Sequence, residues 1–222
     1  VAISVVIPTL DEAASIGSLV ARLGQDGVEI LVVDGGSRDA TVSLARKAGA
    51  RVLESERGRA AQLRRGSQNA NGDLILFLHA DTRLPDGWQA ALLGVLRDPA
   101  VAGGAFGFRL AERGFFFRWI ELWVGVRNAV LGLPYGDQAI FVRRRVLEAM
   151  GGVPDVPLFE DLDLVRGIKA QGRLALLPLA VTTSGRRYAR GRRLRTLLGH
   201  QWALLGWWLG WDRGRLARRL GR

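Results

Sequence analysis

Four short runs in the first 98 residues are apolar on both faces and alternate with segments of helical period, which restricts the chain to a sheet covered by helices on both sides. The runs are Ile3 to Ile7, Glu29 to Val33, Ala50 to Leu53 and Leu74 to Leu78. Between them, residues 12–23 place Ile16, Leu19, Val20 and Leu23 on one helical face. Residues 40–47 behind Asp39 and residues 60–68 predict two more helices. The expected class is α/β with parallel strands.

The rhythm changes after residue 98. Glycine-rich Ala102 to Leu110, Ala139 to Val142 and Leu174 to Leu177 are expected strands, Phe115 to Leu131 and Glu160 to Ala170 expected helices, and residues 193–220 one or two helices. No repeat or linker interrupts this order. It predicts one mixed, mostly parallel sheet domain over 1–190, in halves 1–98 and 99–190, and a basic helical tail over 191–222.

The charge is concentrated in that tail. Of 32 basic and 21 acidic side chains, residues 184–222 hold 11 arginines against Asp212 alone, which leaves 21 against 20 for the rest. Such a tail suits a polyanion, whether phosphodiester, lipid headgroup or diphosphate. Leu197 to Trp211, about 22 Å long as a helix, is too short to span a bilayer core of about 30 Å and is expected to lie in an interface. Trp202, Trp207, Trp208 and Trp211 near arginines fit such an interface, and fit packing on the domain or on a second subunit nearly as well. Trp119 and Trp123, four apart, are expected to be packing residues. The strand-like opening Val1 to Ile7 predicts no cleavable leader.

With no cysteine and only His79 and His200, thiolate and imidazole metal sites, disulfides and cysteine nucleophiles are excluded. A bound metal would rest on carboxylates, as magnesium or manganese does.

In an open α/β sheet, ligands bind beyond the carboxyl ends of the strands. Here those ends are acidic: the first strand runs into Pro8, Thr9, Leu10, Asp11 and Glu12, the second into Asp34, Gly35, Gly36, Ser37 and Asp39, and the fourth into His79, Ala80 and Asp81. Three acidic turns on one edge call for a cation or a hydrogen-bond donor such as a nucleobase among them. Neither G-x-G-x-x-G after the first strand nor a P-loop sequence occurs, which disfavours nicotinamide enzymes and P-loop ATPases.

The stretches Ile7-Pro8-Thr9-Leu10-Asp11-Glu12, Val33-Asp34-Gly35-Gly36-Ser37-Arg38-Asp39, Leu78-His79-Ala80-Asp81, Phe159-Glu160-Asp161 and Arg186-Arg187-Tyr188 resemble, in order, the signature elements of family 2 glycosyltransferases. The resemblance implies a GT-A fold and inverting transfer from a nucleotide-diphosphate sugar, with a UDP-sugar favoured. Pro8, Thr9, Glu12 and Asp34 would surround base and ribose, Asp34 accepting the base imide N–H, with Leu10 and Gly36 also in the donor site. Arg59, His79, Ala80, Arg186 and Arg187 would line the rest of the donor site. Asp81 would ligate Mn2+ or Mg2+. Asp161, in the Glu160-Asp161 pair, would be the catalytic base, with Gly136, Asp137, Gln138 and Tyr188 on the acceptor side. The partners implied are the donor and a hydroxylated acceptor, a lipid-linked one included, with no nucleic acid. A homodimer, and a cytoplasmic location peripheral to the inner face of the membrane through residues 191–222, complete the expectation.

The sequence departs from the usual elements at His79, where an Asp is common, at Asp11 for Asn, at Gly35 for Asp and at Tyr188 for Trp. Simpler roles stand beside several of these. Asp11 is an N-cap or a ligand, Asp39 a cap, His79 a structural or a contacting histidine, and Gly136 to Gln138 a turn or an acceptor element. A reduced binding or scaffold protein, or a polyanion binder acting through the tail, are the other functional classes.

Overall fold

The computed structural model describes residues 1–24, 27–185 and 193–219. Its first half runs β1 (Ile3–Thr9), α1 (Ile16–Leu23), β2 (Val28–Asp34), α2 (Thr41–Lys47), β3 (Arg51–Glu54), α3 (Arg59–Asn69) and β4 (Leu74–Phe77). There follow β5 (Thr82–Arg83), α4 (Trp88–Val95), β6 (Val101–Leu110), α5 (Phe115–Leu131), a 3-10 turn at Gly136–Gln138, β7 (Phe141–Arg143), α6 (Arg144–Ala149), α7 (Glu160–Gln171) and β8 (Arg173–Thr183). Two helices close the described chain, α8 (Arg193–Trp208) and α9 (Arg213–Arg219).

All eight strands form one sheet in the order β3-β2-β1-β4-β7-β6-β8-β5. Strands β1 to β4 are mutually parallel where they pair, and β7 enters antiparallel between β4 and β6. Successive side chains of a strand point to opposite faces, so an all-apolar strand feeds two cores. Val5, Ile7, Val32 and Leu76 pack with Ile16, Leu19, Val20 and Leu23 of α1 and with Trp88 and Leu92 of α4. Val6, Leu31, Val33, Ile75 and Phe77 pack on the other face with Leu63 of α3 and with Leu164, Val165 and Ile168 of α7.

Several expectations change in detail. Helix α1 starts at Ile16 rather than at residue 12, because the Glu12 carbonyl accepts the amides of Ser15 and Ile16 in a turn. Asp11 therefore does not cap it. It adopts a left-handed φ of 55° and accepts the Arg38 amide at 2.8 Å. Asp39 does serve the first turn of α2, accepting the Thr41 amide at 2.9 Å, and it also receives the Ala13 amide. β8 continues beyond Leu177 to Thr183, with its register against β6 slipping around Pro178, which has no amide to give the ladder. Strand β5 and helix α4 had no counterpart in the sequence reading.

The α8–α9 pair packs back on the domain. Trp207 is buried, its indole N–H donates to Asp163 of α7 at 3.1 Å, and Arg213 forms a two-armed ion pair with the same carboxylate. Leu158, Ala203, Leu216 and Ala217 make the small core beneath it. Trp208 and Leu209 remain exposed.

Helix α3 lies very close to the sheet at Gly66, where a Cβ would come within 2.3 Å of Val6 Cγ1 and 2.9 Å of Val33 Cγ2. Gly66→Ala is expected to lower stability by about 1–3 kcal/mol through overpacking, read from urea unfolding.

Candidate active site

Because β1, β2 and β4 run parallel, Thr9, Asp34 and the residues after Phe77 emerge on one edge of the sheet. Strand order reverses there: the chain leaves β1 for β2 and β3 on one side and returns to place β4 on the other. A crevice at such a switch point is the expected ligand site of an open α/β sheet. Antiparallel β7 starts where β4 ends, with Leu76 opposite Phe141, which delivers the preceding turn Gly136–Gln138 to the same edge.

The crevice is a cleft of about 170 Å³ whose walls are Pro8, Thr9, Leu10 and Glu12 from the first strand end, Arg59 and Gln62 from α3, and His79, Ala80 and Asp81 from the fourth strand end. The structure thus brings together most of the donor-side residues expected from sequence. A second cleft of about 390 Å³ shares Ala80 and Asp81 and opens between Ser15, Ser18 and Arg22 on one side and Thr182 to Ser184 on the other.

Asp34 is buried, with 4% of its surface exposed, and organises the turn around it. Its Oδ1 accepts the hydroxyls of Thr9 and Ser37, and its Oδ2 accepts the amides of Gly36 at 3.0 Å and Ser37 at 2.8 Å. A carboxylate offers about four acceptor positions, and protein donors occupy them all. Gln62 ties the two strand ends together by donating from Nε2 to the Thr9 and Val33 carbonyls, both at 2.8 Å. It packs on Gly35, where a Cβ would lie 3.1 Å from its Nε2.

The expected catalytic pair sits at the start of α7, whose first turn holds Glu160, Asp161 and Asp163, where the helix dipole favours negative charge. Phe159, before it, adopts a left-handed φ of 63°, a conformation that costs a bulky residue of order 1–3 kcal/mol and that surrounding packing must hold. Its ring lies 6.4 Å from that of Trp207. Glu160 is buried and pairs with Arg59 at 3.4 Å. Asp161 accepts the Gly136 amide on Oδ2 at 2.7 Å and the Leu162 amide on Oδ1 at 2.9 Å. A Cβ at Gly136 would lie 3.2 Å from Asp161 Oδ2 and 3.3 Å from His79 Nε2, so the absence of a side chain is what lets turn, histidine and carboxylate meet.

Gln138 fixes the turn. Fully buried, it donates to the Phe106 carbonyl at 3.0 Å and accepts from the Tyr135 amide and from Arg127 of α5. The Arg127 guanidinium lies 3.5 Å from the centre of the Tyr135 ring. Burial pushes the Tyr135 phenol above its usual pKa; Arg127 opposes the shift and Asp161 adds to it.

Arg186, Arg187 and Tyr188 lie outside the described residues. Among those described, no group of three or more His, Asp or Glu side chains is arranged to hold a metal ion. Asp81 is the carboxylate common to both clefts, and one or two carboxylates beside substrate phosphates are a donor set that magnesium commonly takes. Residues missed from sequence are Gln62, Arg127, Tyr135 and Asp163, together with the left-handed backbone of Phe159. Their types, an amide in polar α3 and an arginine in apolar α5 among them, carry no signal that separates a buried bond from an exposed surface.

A sequence model described as glycosyl transferase family 2 matches residues 4–143. An undecaprenyl-phosphate 4-deoxy-4-formamido-L-arabinose transferase of Pseudomonas aeruginosa is 30% identical over 169 residues, 67% of this chain and 49% of that protein. The chain spans half or less of the length of the curated relatives it matches. Among solved structures, the mannosyltransferase PcManGT from Pyrobaculum calidifontis in complex with GDP-Man and Mn2+ superposes with a TM-score of 0.65, at 25% identity over 85% of this chain and 58% of that one. Glucosyl-3-phosphoglycerate synthase from Mycobacterium tuberculosis, bound to Mg2+ and UDP, shares the fold with a TM-score of 0.68 at 23% identity, covering 95% of this chain and 80% of the other.

Gln138→Leu strands the Phe106 carbonyl and the Arg127 head group. The expected result is a loss of about 1–3 kcal/mol in urea unfolding. Because the lesion lies on the turn side, Asp34 and Gln62 at the first two strand ends keep their bonds.

Proposed function

The chain belongs to glycosyl transferase family 2, and from that premise we propose that it moves a sugar from a nucleoside diphosphate donor, uridine-based in the first instance, to an acceptor hydroxyl with inversion. The observation that carries this reading is the meeting of Asp161, Gly136 and His79 beside the cleft that holds Arg59 and Asp81. In this reading a carboxylate and a diphosphate site stand on either side of the position a sugar would take.

The base rests against Pro8, Thr9 and Leu10, with Glu12 and Gly36 at its edge. Asp34 has its acceptor positions filled by protein, yet one of the donors, the Ser37 hydroxyl, can rotate away and leave Oδ1 to an imide N–H. Glu160 holds the Arg59 guanidinium toward the phosphates. A divalent cation at Asp81, when bound, neutralises the charge that builds on the leaving diphosphate.

Transfer then needs one proton movement. Asp161 takes the proton of the acceptor hydroxyl as that oxygen bonds to the anomeric carbon, and the bond from that carbon to the diphosphate oxygen breaks with its electron pair. The Gly136 amide and the Leu162 amide keep the carboxylate aimed across the turn, with Asp137 and Gln138 forming the acceptor wall.

Asp161→Asn is expected to slow UDP release from a UDP-sugar and acceptor by about 10²–10⁴-fold with UDP-induced stabilisation kept, and to lower the melting temperature because Asn has one acceptor oxygen for the Gly136 and Leu162 amides. Retention of most of the activity would remove Asp161 from the mechanism.

A further inference from the structure

Helix α5 is apolar on two opposite faces. Its inner face buries Phe117, Ile120 and Asn128 against β6, while Phe115, Trp119, Leu122, Trp123, Val126 and Val130 point outward. At 100° per residue these six fall within a stripe about 100° wide, and from first to last they run about 22 Å along the helix. Phe115 is 88% and Val130 75% exposed, and the two indoles are about half exposed. Trp119 and Trp123 are thus not the packing residues their spacing predicts. A helix apolar all round is normally buried, and a continuous outward stripe of this size marks a surface that meets something.

The charge around the stripe selects the occupant. At its N-terminal end a shallow depression of about 580 Å³ is walled by Arg109, Arg113 and Arg118. Glu121 pairs with Arg118 and receives the Leu110 amide, and Glu112 receives the Gly185 amide, so Arg109 and Arg113 supply the charge of this rim. An arginine rim brought against a second copy of itself is repelled, whereas an anionic lipid surface is attracted to it. Indoles and aliphatic side chains on one helical face, with arginines at the rim, are the composition of a helix lying in a membrane interface.

We propose that the outward face of α5 docks the protein on an anionic lipid bilayer. The same helix carries Arg127, which holds Gln138 and Tyr135 in the turn that meets Asp161. A bilayer on one side of α5 therefore lies one helix away from the acceptor side of the cleft. Resting on the transferase reading, the docking face makes an acceptor carried on a lipid the class that reaches Asp161.

Flotation of the full chain with vesicles of phosphatidylcholine and phosphatidylglycerol in equal parts tests the docking without any donor, so its failure leaves the transferase reading standing. The wild type should float, should do so less with phosphatidylcholine alone, and should lose binding as salt rises. Leu122→Glu with Val126→Glu should cut the floated fraction by more than about tenfold, with melting temperature and UDP-induced stabilisation unchanged. Trp208→Glu with Leu209→Glu, on the exposed end of α8, should float like the wild type. The proposal is overturned if the wild type stays in the bottom fraction, if the α5 variant floats normally, or if only the α8 variant is released. It is equally overturned if light scattering shows a dimer that Leu122→Glu dissociates.

Discussion

A single hydrogen bond, from the Gly136 amide to the Asp161 carboxylate, joins the turn before β7 to the start of α7, and much of the second half of the chain is arranged around it. The amide is presented by a turn that Gln138 anchors to β6 and to α5. The carboxylate is presented by the first turn of α7, entered through a left-handed Phe159. That backbone conformation is unfavourable by itself, and the α8–α9 pair supplies the support: Trp207 lies against the Phe159 ring and bonds to Asp163 one turn on. The α8–α9 pair is in this respect a brace for the start of α7.

The donor half obeys a different constraint. Parallel strands deliver their carboxyl ends to one edge, and the acidic residues there would repel one another if left to solvent alone. Asp34 escapes this by taking four protein donors, and Glu160 by pairing with Arg59. Asp81 stands in two clefts at once, the one lined by Pro8 to Leu10 and the one lined by Ser15 to Arg22. In the proposed reading, that position takes the diphosphate with its cation.

The fold was legible in the sequence wherever a strand is apolar on both faces. Ile3 to Ile7 and Glu29 to Val33 read as strands of a covered sheet, and the acidic residues that follow them point in sequence alone to the edge where the cleft lies. Helix α5 was legible in its bounds but not in its exposure, since Trp119 and Trp123 look alike in a core and on an interface. Gln62 and Gln138 were hidden for a related reason: an amide gives no sign in sequence of whether carbonyls wait for it. The left-handed Phe159 was invisible too, because positive φ is announced by glycine and here is imposed by packing. Strand β5 is two residues long, too short for any period to show.

The central claim is that the strand-end cleft binds a nucleoside diphosphate together with a cation at Asp81. A melting-temperature panel of UDP, GDP, CDP and TDP, each with and without Mn2+ or Mg2+, tests it directly. One nucleotide, UDP by this account, should raise the melting temperature by about 5–10 °C at about a hundredfold excess over Kd, only with the cation, and Asp81→Ala should abolish the rise. No shift with any nucleotide, or a shift indifferent to both cation and Asp81, would contradict the account.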